Sequence, residues 1–347
     1  MRNAVRNLSS WLDGYTVPDM NPGINLIPAI SIYGILLTVI AASFCGAERL
    51  SHGVSATITL LRLDVRVVSR FLAEGTVLIL SGVAGTLLYR LRVLPLAFEP
   101  LIRLSCLSFI SVSALLKLPV ALAILAALCT CLAFSAIVTL LTWKRHEIET
   151  LLHFVLSLVI GALGTYLIRG PLRDPADTGQ GVTISLPSLT LSEGLIICAA
   201  CAFLVALPCL RALTYGGVEG SHLRYESAAG VIRADRRVFA YEARTAAFMI
   251  VAAIALIHVT FLNSRVSPES GNGALLYSIV VTTLAEGSLT AACLYAIILS
   301  LYRQVYACAA PPNSHGDLVY LPIILAWAVQ LSVIKALFLR SRRRIAK

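Results

Sequence analysis

Apolar runs long enough to cross a bilayer follow one another from Ile24 to Leu339 and leave almost no sequence for a water-soluble domain. A hydrocarbon core of ~30 Å needs about 20 helical residues at 1.5 Å rise each, and several runs meet that without interruption. The runs are 24–45, 71–89, 98–116, 118–142, 149–168, 195–213, 245–262, 273–301 and 318–339, with a short, polar-edged tenth at 51–63. They are continuous, not alternating over ~10 residues, and unpaired backbone amides are not tolerated in lipid, so they read as helices and not barrel strands. Only 13% of residues are charged, against about 25% in a typical soluble domain. The mean hydropathy of +0.85 agrees.

The expected fold is therefore all-α: a polytopic transmembrane helix bundle of about nine to ten spans, in two halves joined by a basic central loop. The pattern divides the chain into a polar N-terminal segment (1–23), an N-terminal membrane half (24–213), the central loop (214–244), a C-terminal membrane half (245–339) and a basic tail (340–347). Lys117 and Pro119 separate 98–116 from 118–142 so closely that these two runs read as arms of a tight helical hairpin. The first apolar run is too long for the core of a cleavable signal peptide, and Ile24 to Cys45 reads as an uncleaved signal anchor.

Arginine distribution bears on orientation. The connection 211–244 holds six arginines against four acids (Glu219, Glu226, Asp235, Glu242), and the tail RSRRRIAK is also basic. Both look cytosolic under the positive-inside rule, yet three apparent spans separate them. Either 273–301, with Glu286 and Gly287 at its middle, contains a re-entrant break, or one basic segment departs from the rule. The reading favours a cytosolic central loop and leaves the tail open. Topology explains the net charge of +10 better than nucleic-acid binding, because the basic residues are scattered over short loops and not gathered on one face.

Enzyme signatures are not found: there is no HExxH, GxSxG, Walker A loop or paired-aspartate motif. Eight of the nine cysteines lie in or beside apolar runs, where a thiol acts as a small hydrophobe; Cys198 and Cys201 have metal-ligand spacing but lack a second ligand pair. No cofactor or metal is expected. Glu147 and Glu149 follow Lys144, Arg145 and His146 and read as a charged interfacial turn beside Trp143. Gly82 with Gly85, and Gly161 with Gly164, offer small residues for close helix contact.

Charges within spans are the usual pointers to function, since each costs ~2.5–3.5 kcal/mol at the bilayer centre on insertion scales. The candidate intramembrane polar residues are Glu286, Arg103 and Glu74. Glu286 has two readings: a proton- or cation-linked carboxylate, or a partner of Arg103, on one side; a structural hydrogen bond or a carboxyl kept neutral by burial on the other. Glu74, Glu193 and Lys335 lie near span ends, where snorkelling accounts for them. His258 reads as a satisfied interior histidine.

RLDVRVVSRFLAEGTVLILSGVAGTLL (62–88), the arginine-containing connection 211–244 between two multispan halves, and TLAEGSLTAACLYAIILSL (283–301) with its single mid-membrane glutamate together form a layout. That layout resembles the alphaherpesvirus UL-forty-three family of multipass envelope proteins. The resemblance is one of pattern over most of the chain, with a shorter, less proline-rich central loop and fewer spans after it, and no site residue transfers. It implies a non-catalytic protein of the virion envelope and host secretory membranes. The bilayer is then the first partner and other viral envelope proteins the next, with no nucleic acid. It also implies a fold distantly similar to equilibrative nucleoside transporters. The alternative function is a small-solute transporter in which Arg103, Glu286 and Glu74 line a polar path at the midplane.

Overall fold

The computed structural model describes residues 26–63, 65–91, 93–142, 148–172, 182–183, 232–262, 265–266, 271, 273–285, 289–309 and 320–330. The described residues form an all-α protein. Its helices are α1 (Leu26–Cys45), α2 (Ala47–Leu63), α3 (Val65–Arg90), α4 (Phe98–Ile110), α5 (Val120–Thr142), α6 (Glu149–Arg169), α7 (Ile232–Ile257), α8 (Ala274–Ala285), α9 (Leu289–Ala309) and α10 (Tyr320–Gln330). Single π turns extend α4 (Ser111–Leu115) and α7 (His258–Leu262). Among the described residues the only extended pairing joins Val182–Thr183 to Arg265–Val266, antiparallel.

Among the described residues, four stretches are long and apolar enough to cross a membrane: Val120–Thr142, Glu149–Arg169, Ala243–Thr260 and Ala291–Ala309. A bent pair within α1 and α2 makes a fifth, and three shorter apolar stretches (Ala73–Tyr89, Ala274–Ala285 and Tyr320–Gln330) accompany them. The expected run 195–213 lies outside the described residues. The run 273–301 is described as two helices, α8 and α9, with Glu286 outside the described residues between them. The polar-edged run 51–63 is indeed helical, as part of α2, and meets α1 at 114° across Gly46, whose φ of +84° is open to glycine at no steric penalty.

The chain groups into two compact units, 60–300 and a smaller one made of 1–59 with 301–347. In the smaller unit, Gly53 of α2 lets the last turns of α9 approach closely: a Cβ there would lie 2.7 Å from the Val305 carbonyl oxygen and 2.8 Å from Ala309 Cβ. In the larger unit α7 is the central helix. Of its membrane window 78% is buried, against 28% for α5 and 17% for α6. The reason is in the residues. Ala243, Ala246, Ala247, Ala252, Ala253 and Ala255 give α7 a slim surface that α3, α4 and α5 can all approach. In contrast, α6 turns Leu151, Phe154, Val155, Leu158, Val159 and Leu163 outward, exposed, toward lipid. A helix apolar on all sides packs inside, and without a hydrophobic drive between helices in lipid the small residues decide which one does.

The α4–α5 connection is the tight hairpin that Lys117 and Pro119 suggest. Lys117 takes φ 50°, the left-handed turn that reverses the chain, and Pro119 accepts the first α5 hydrogen bonds from Leu122 and Ala123 at 2.9 and 3.3 Å. Across this hairpin Ser108 and Thr130 hydroxyls meet at 2.8 Å, and Ser105 lies 3.0 Å from the Cys131 sulfur. Helix α3 offers Gly82 and Gly85 to α8. A Cβ at Gly82 would sit 2.6 Å from Val281 Cγ1, and one at Gly85 would overlap the Ser278 hydroxyl. That hydroxyl donates to the Ser81 carbonyl at 3.0 Å, locking the close approach with an interhelical hydrogen bond.

Candidate functional site

Two helices bring charge into the interior of the larger unit, and a third supplies hydroxyls and an aromatic ring beside it. Helix α5 supplies Phe134, Ser135 and Thr139 near its C-terminal end; α6 supplies Glu149 and His153, one turn apart on one face; α7 supplies Arg244, Thr245 and Phe248. Arg244 donates from Nε to Glu149 Oε1 at 2.7 Å and from Nη1 to Thr139 Oγ1 at 2.9 Å. Its Nη2 reaches the same carboxylate oxygen at 2.7 Å as an ion-pair contact off the hydrogen-bond line. Thr139 in turn donates to the Ser135 carbonyl at 2.7 Å, so its remaining lone pair faces the guanidinium. Arg244 is 2% exposed and Glu149 3%.

His153 closes one side of this pair. It is fully buried, and its Nε2 lies 4.0 Å from Glu149 Oε1, beyond hydrogen-bond reach. The ring packs edge-on against Phe134 at 5.9 Å and tilted against Phe248 at 5.6 Å, while the two phenylalanines meet edge to face at 4.9 Å. Neither ring nitrogen of His153 has a hydrogen-bond partner among the described residues. One turn away, the Ser135 and Thr245 hydroxyls meet at 3.2 Å and tie α5 to α7 a second time. Chemically this is a neutralised pair that cross-links three helices, with an imidazole placed to sense its carboxylate.

The residues singled out from sequence fall elsewhere. Glu286 lies outside the described residues. Arg103 is half-buried on α4, one turn after Glu99, with its stem against Gly164 of α6, where a Cβ would touch Arg103 Cδ at 3.5 Å. Glu74 is half-buried on α3, beside Gly75, where α9 approaches through Ser300. Arg103 thus belongs to the α4–α6 contact, and Glu74 precedes the glycine at which α3 approaches Ser300 of α9. His258 opens the π turn after α7 and is half-buried. Among the described residues no group of three His, Cys, Asp or Glu side chains is placed to hold a metal ion.

Two sequence readings need correction. Glu149 is not part of an exposed interfacial turn, since it is the first residue of α6 and buried against Arg244. Arg244 is not a solvated loop arginine, since it lies inside α7 facing that carboxylate. A signal was available for both: each abuts the end of a long apolar run, so each sits at a span boundary, where an acid and a base on neighbouring helices can pair. A further residue, Glu99, went unnoticed. Its Oε1 accepts from the backbone N–H groups of Gly273 and Leu275 at 2.8 and 3.2 Å, capping the start of α8 from α4. Gly271 and Gly273, with φ of 84° and 89°, shape the turn that presents those amides.

Long apolar helices, a core of small residues and, among the described residues, a buried Arg244–Glu149 pair at the boundary of the apolar stretches define an all-α integral membrane protein of the multipass class. No family model, no curated protein and no solved structure matches the chain.

Proposed function

We propose that the chain is a non-catalytic multipass membrane protein that works as a packed helical scaffold, through partner binding and trafficking in viral-envelope and host secretory membranes. The observation that carries this reading is the Arg244–Glu149 pair. The two buried charges of opposite sign among the described residues are directed at each other and at Thr139, as a cross-link requires. A carrier needs intramembrane charges that trade protein partners for solute or ion at the midplane, and this pair sits instead at span boundaries: Glu149 opens α6, Thr139 is in the last turn of α5, and Arg244 stands at the start of the apolar stretch Ala243–Thr260 within α7. The viral setting is supported by the layout of the sequence: two multispan halves around an arginine-bearing connection.

The competing reading, a small-solute carrier, is favoured by one observation, the buried His153 imidazole beside the Glu149 carboxylate. Purified protein in sealed vesicles separates the two. The scaffold reading expects no saturable uptake of nucleosides or other small solutes above empty vesicles, with or without a pH gradient. It also expects Glu149→Ala to lower delivery of the protein to the cell surface. Saturable, pH-driven uptake by the wild type, lost in a well-folded Glu149→Gln variant, would establish the carrier instead.

A further inference from the structure

A groove of about 740 Å³ runs along α6 where α4 crosses it, lined by Arg103, Leu158, Gly161, Thr165, Tyr166 and Arg169 among others. Its size is in the range of small-ligand sites. We infer that this groove binds one anionic phospholipid of the bilayer, its phosphate at Arg103 and Arg169 and one acyl chain along the α6 face toward Leu158. The inference is independent of the scaffold reading.

Polarity along the groove is graded in the same sense as a lipid. The cations, with Tyr166 and Thr165, gather toward the C-terminal end of α6, and Leu158, Gly161 and Ser157, whose hydroxyl is turned to the Phe154 carbonyl, lie at the other. From Ser157 to Arg169 the helix rises ~18 Å, which is acyl-chain length and not headgroup length. Helix α6 itself has 21 residues, so its ends fall near the two boundaries of a ~30 Å hydrocarbon core, and Arg169 as its last residue stands at phosphate depth. Tyr166, 67% exposed one turn before it, has the place of an interfacial aromatic.

The groove opens to lipid, not to an aqueous path. Leu151, Phe154, Val155 and Leu158 on this helix are all exposed, as lipid-facing residues are. Its hollow comes from absent side chains. A Cβ at Gly161 would reach Pro100 Cβ at 3.8 Å, ordinary contact with no clash, so the missing side chain leaves room in the groove. The α6 hydroxyls do not compete for the ligand as donors, since Thr165 donates to the Gly161 carbonyl at 2.9 Å and Ser157 to the Phe154 carbonyl at 2.7 Å. The last carbonyls of α6 disfavour an anion, which is why two guanidiniums are needed. Each carries five N–H donors, so bonds to protein acceptors leave others for phosphate oxygens.

The test uses the full-length protein in nanodiscs of mixed phosphatidylglycerol and phosphatidylcholine. Native mass spectrometry then identifies the lipid retained after detergent release. Phosphatidylglycerol should be enriched about tenfold over phosphatidylcholine, because both offer a phosphate but the choline ammonium opposes the two guanidiniums. Arg169→Gln, at an exposed helix end, should return the ratio to that of the bulk bilayer, and Arg103→Gln should do the same. Gly161→Leu should displace both lipids while leaving the melting temperature unchanged, because its Cβ meets Pro100 only at ordinary contact distance, 3.8 Å, and the rest of the side chain extends into the groove. Retention at bulk composition by the wild type overturns the inference, as does an enrichment that Arg169→Gln and Gly161→Leu leave intact. If inorganic phosphate alone displaces the lipid completely, the acyl subsite does not exist. If Gly161→Leu converts a dimer to a monomer without changing lipid retention, the groove belongs to a second copy of the chain.

Discussion

Removing the Glu149 carboxylate from beside Arg244 is the sharpest perturbation the structure offers. The guanidinium is 2% exposed and has two contacts at 2.7 Å to one carboxylate oxygen, plus one at 2.9 Å to Thr139. In Glu149→Ala only the threonine remains, and a buried charge that loses its counter-ion costs about 3–5 kcal/mol. In Glu149→Gln the amide oxygen still accepts one hydrogen bond, so the penalty shrinks to about 1–3 kcal/mol, the worth of a charge-assisted bond. Arg244→Met strands the carboxylate and should resemble the alanine variant. The double variant Glu149→Leu with Arg244→Met removes both charges and fills similar volume, so it should lie within about 1 kcal/mol of the wild type or above it. Equilibrium unfolding in mixed SDS micelles of the wild type, Glu149→Leu, Arg244→Met and the double variant closes the cycle, and because two single costs of about 3–5 kcal/mol each vanish together the coupling is expected at about 6 kcal/mol or more. A double variant as unstable as either single one, or singles that cost under about 1 kcal/mol, would show that the pair does not hold the three helices together.

Other expectations are simpler. Leucine at Gly82 or Gly85 should push α8 off α3 and destabilise the larger unit by about 1–3 kcal/mol or more, since a Cβ already collides with Val281 or Ser278; an unchanged unfolding midpoint would contradict that contact. Glu99→Ala should weaken the start of α8 by about 1 kcal/mol and speed hydrogen exchange at the Gly273 and Leu275 amides, leaving α5 protection unchanged. A glycosylation sequon inserted near Gly230 should stay unmodified, because arginine resists translocation and the connection 211–244 is rich in it; efficient glycan addition would reverse the orientation. Glu286→Gln should preserve folding and surface delivery and Glu286→Leu should impair them, the amide keeping most hydrogen-bonding capacity without ionisation; impaired delivery of the glutamine variant would mean that the charge itself is required.

Much of the architecture is a local property, and local properties are written in the residues. Whether a stretch crosses a bilayer depends on its own length and apolarity, so the expected 24–45, 118–142 and 149–168 fall within two residues of Leu26–Cys45, Val120–Thr142 and Glu149–Arg169. The α4–α5 hairpin is local too, being decided by Lys117 and Pro119 within a few residues. What hydropathy measures is depth relative to water, and depth says nothing about which neighbour a residue faces. The apolarity of α6 and α7 is similar, yet one faces lipid and the other is enclosed, because leucine and alanine differ in girth and only packing against other helices expresses the difference. Arg244 and Glu149 are 95 residues apart, and Glu99 and Gly273 are 174 apart. Each residue's charge or backbone type was visible, but the partner was not. A buried charge must find its counterpart somewhere, and the somewhere is set by which boundaries of apolar stretches the tertiary fold brings to the same depth.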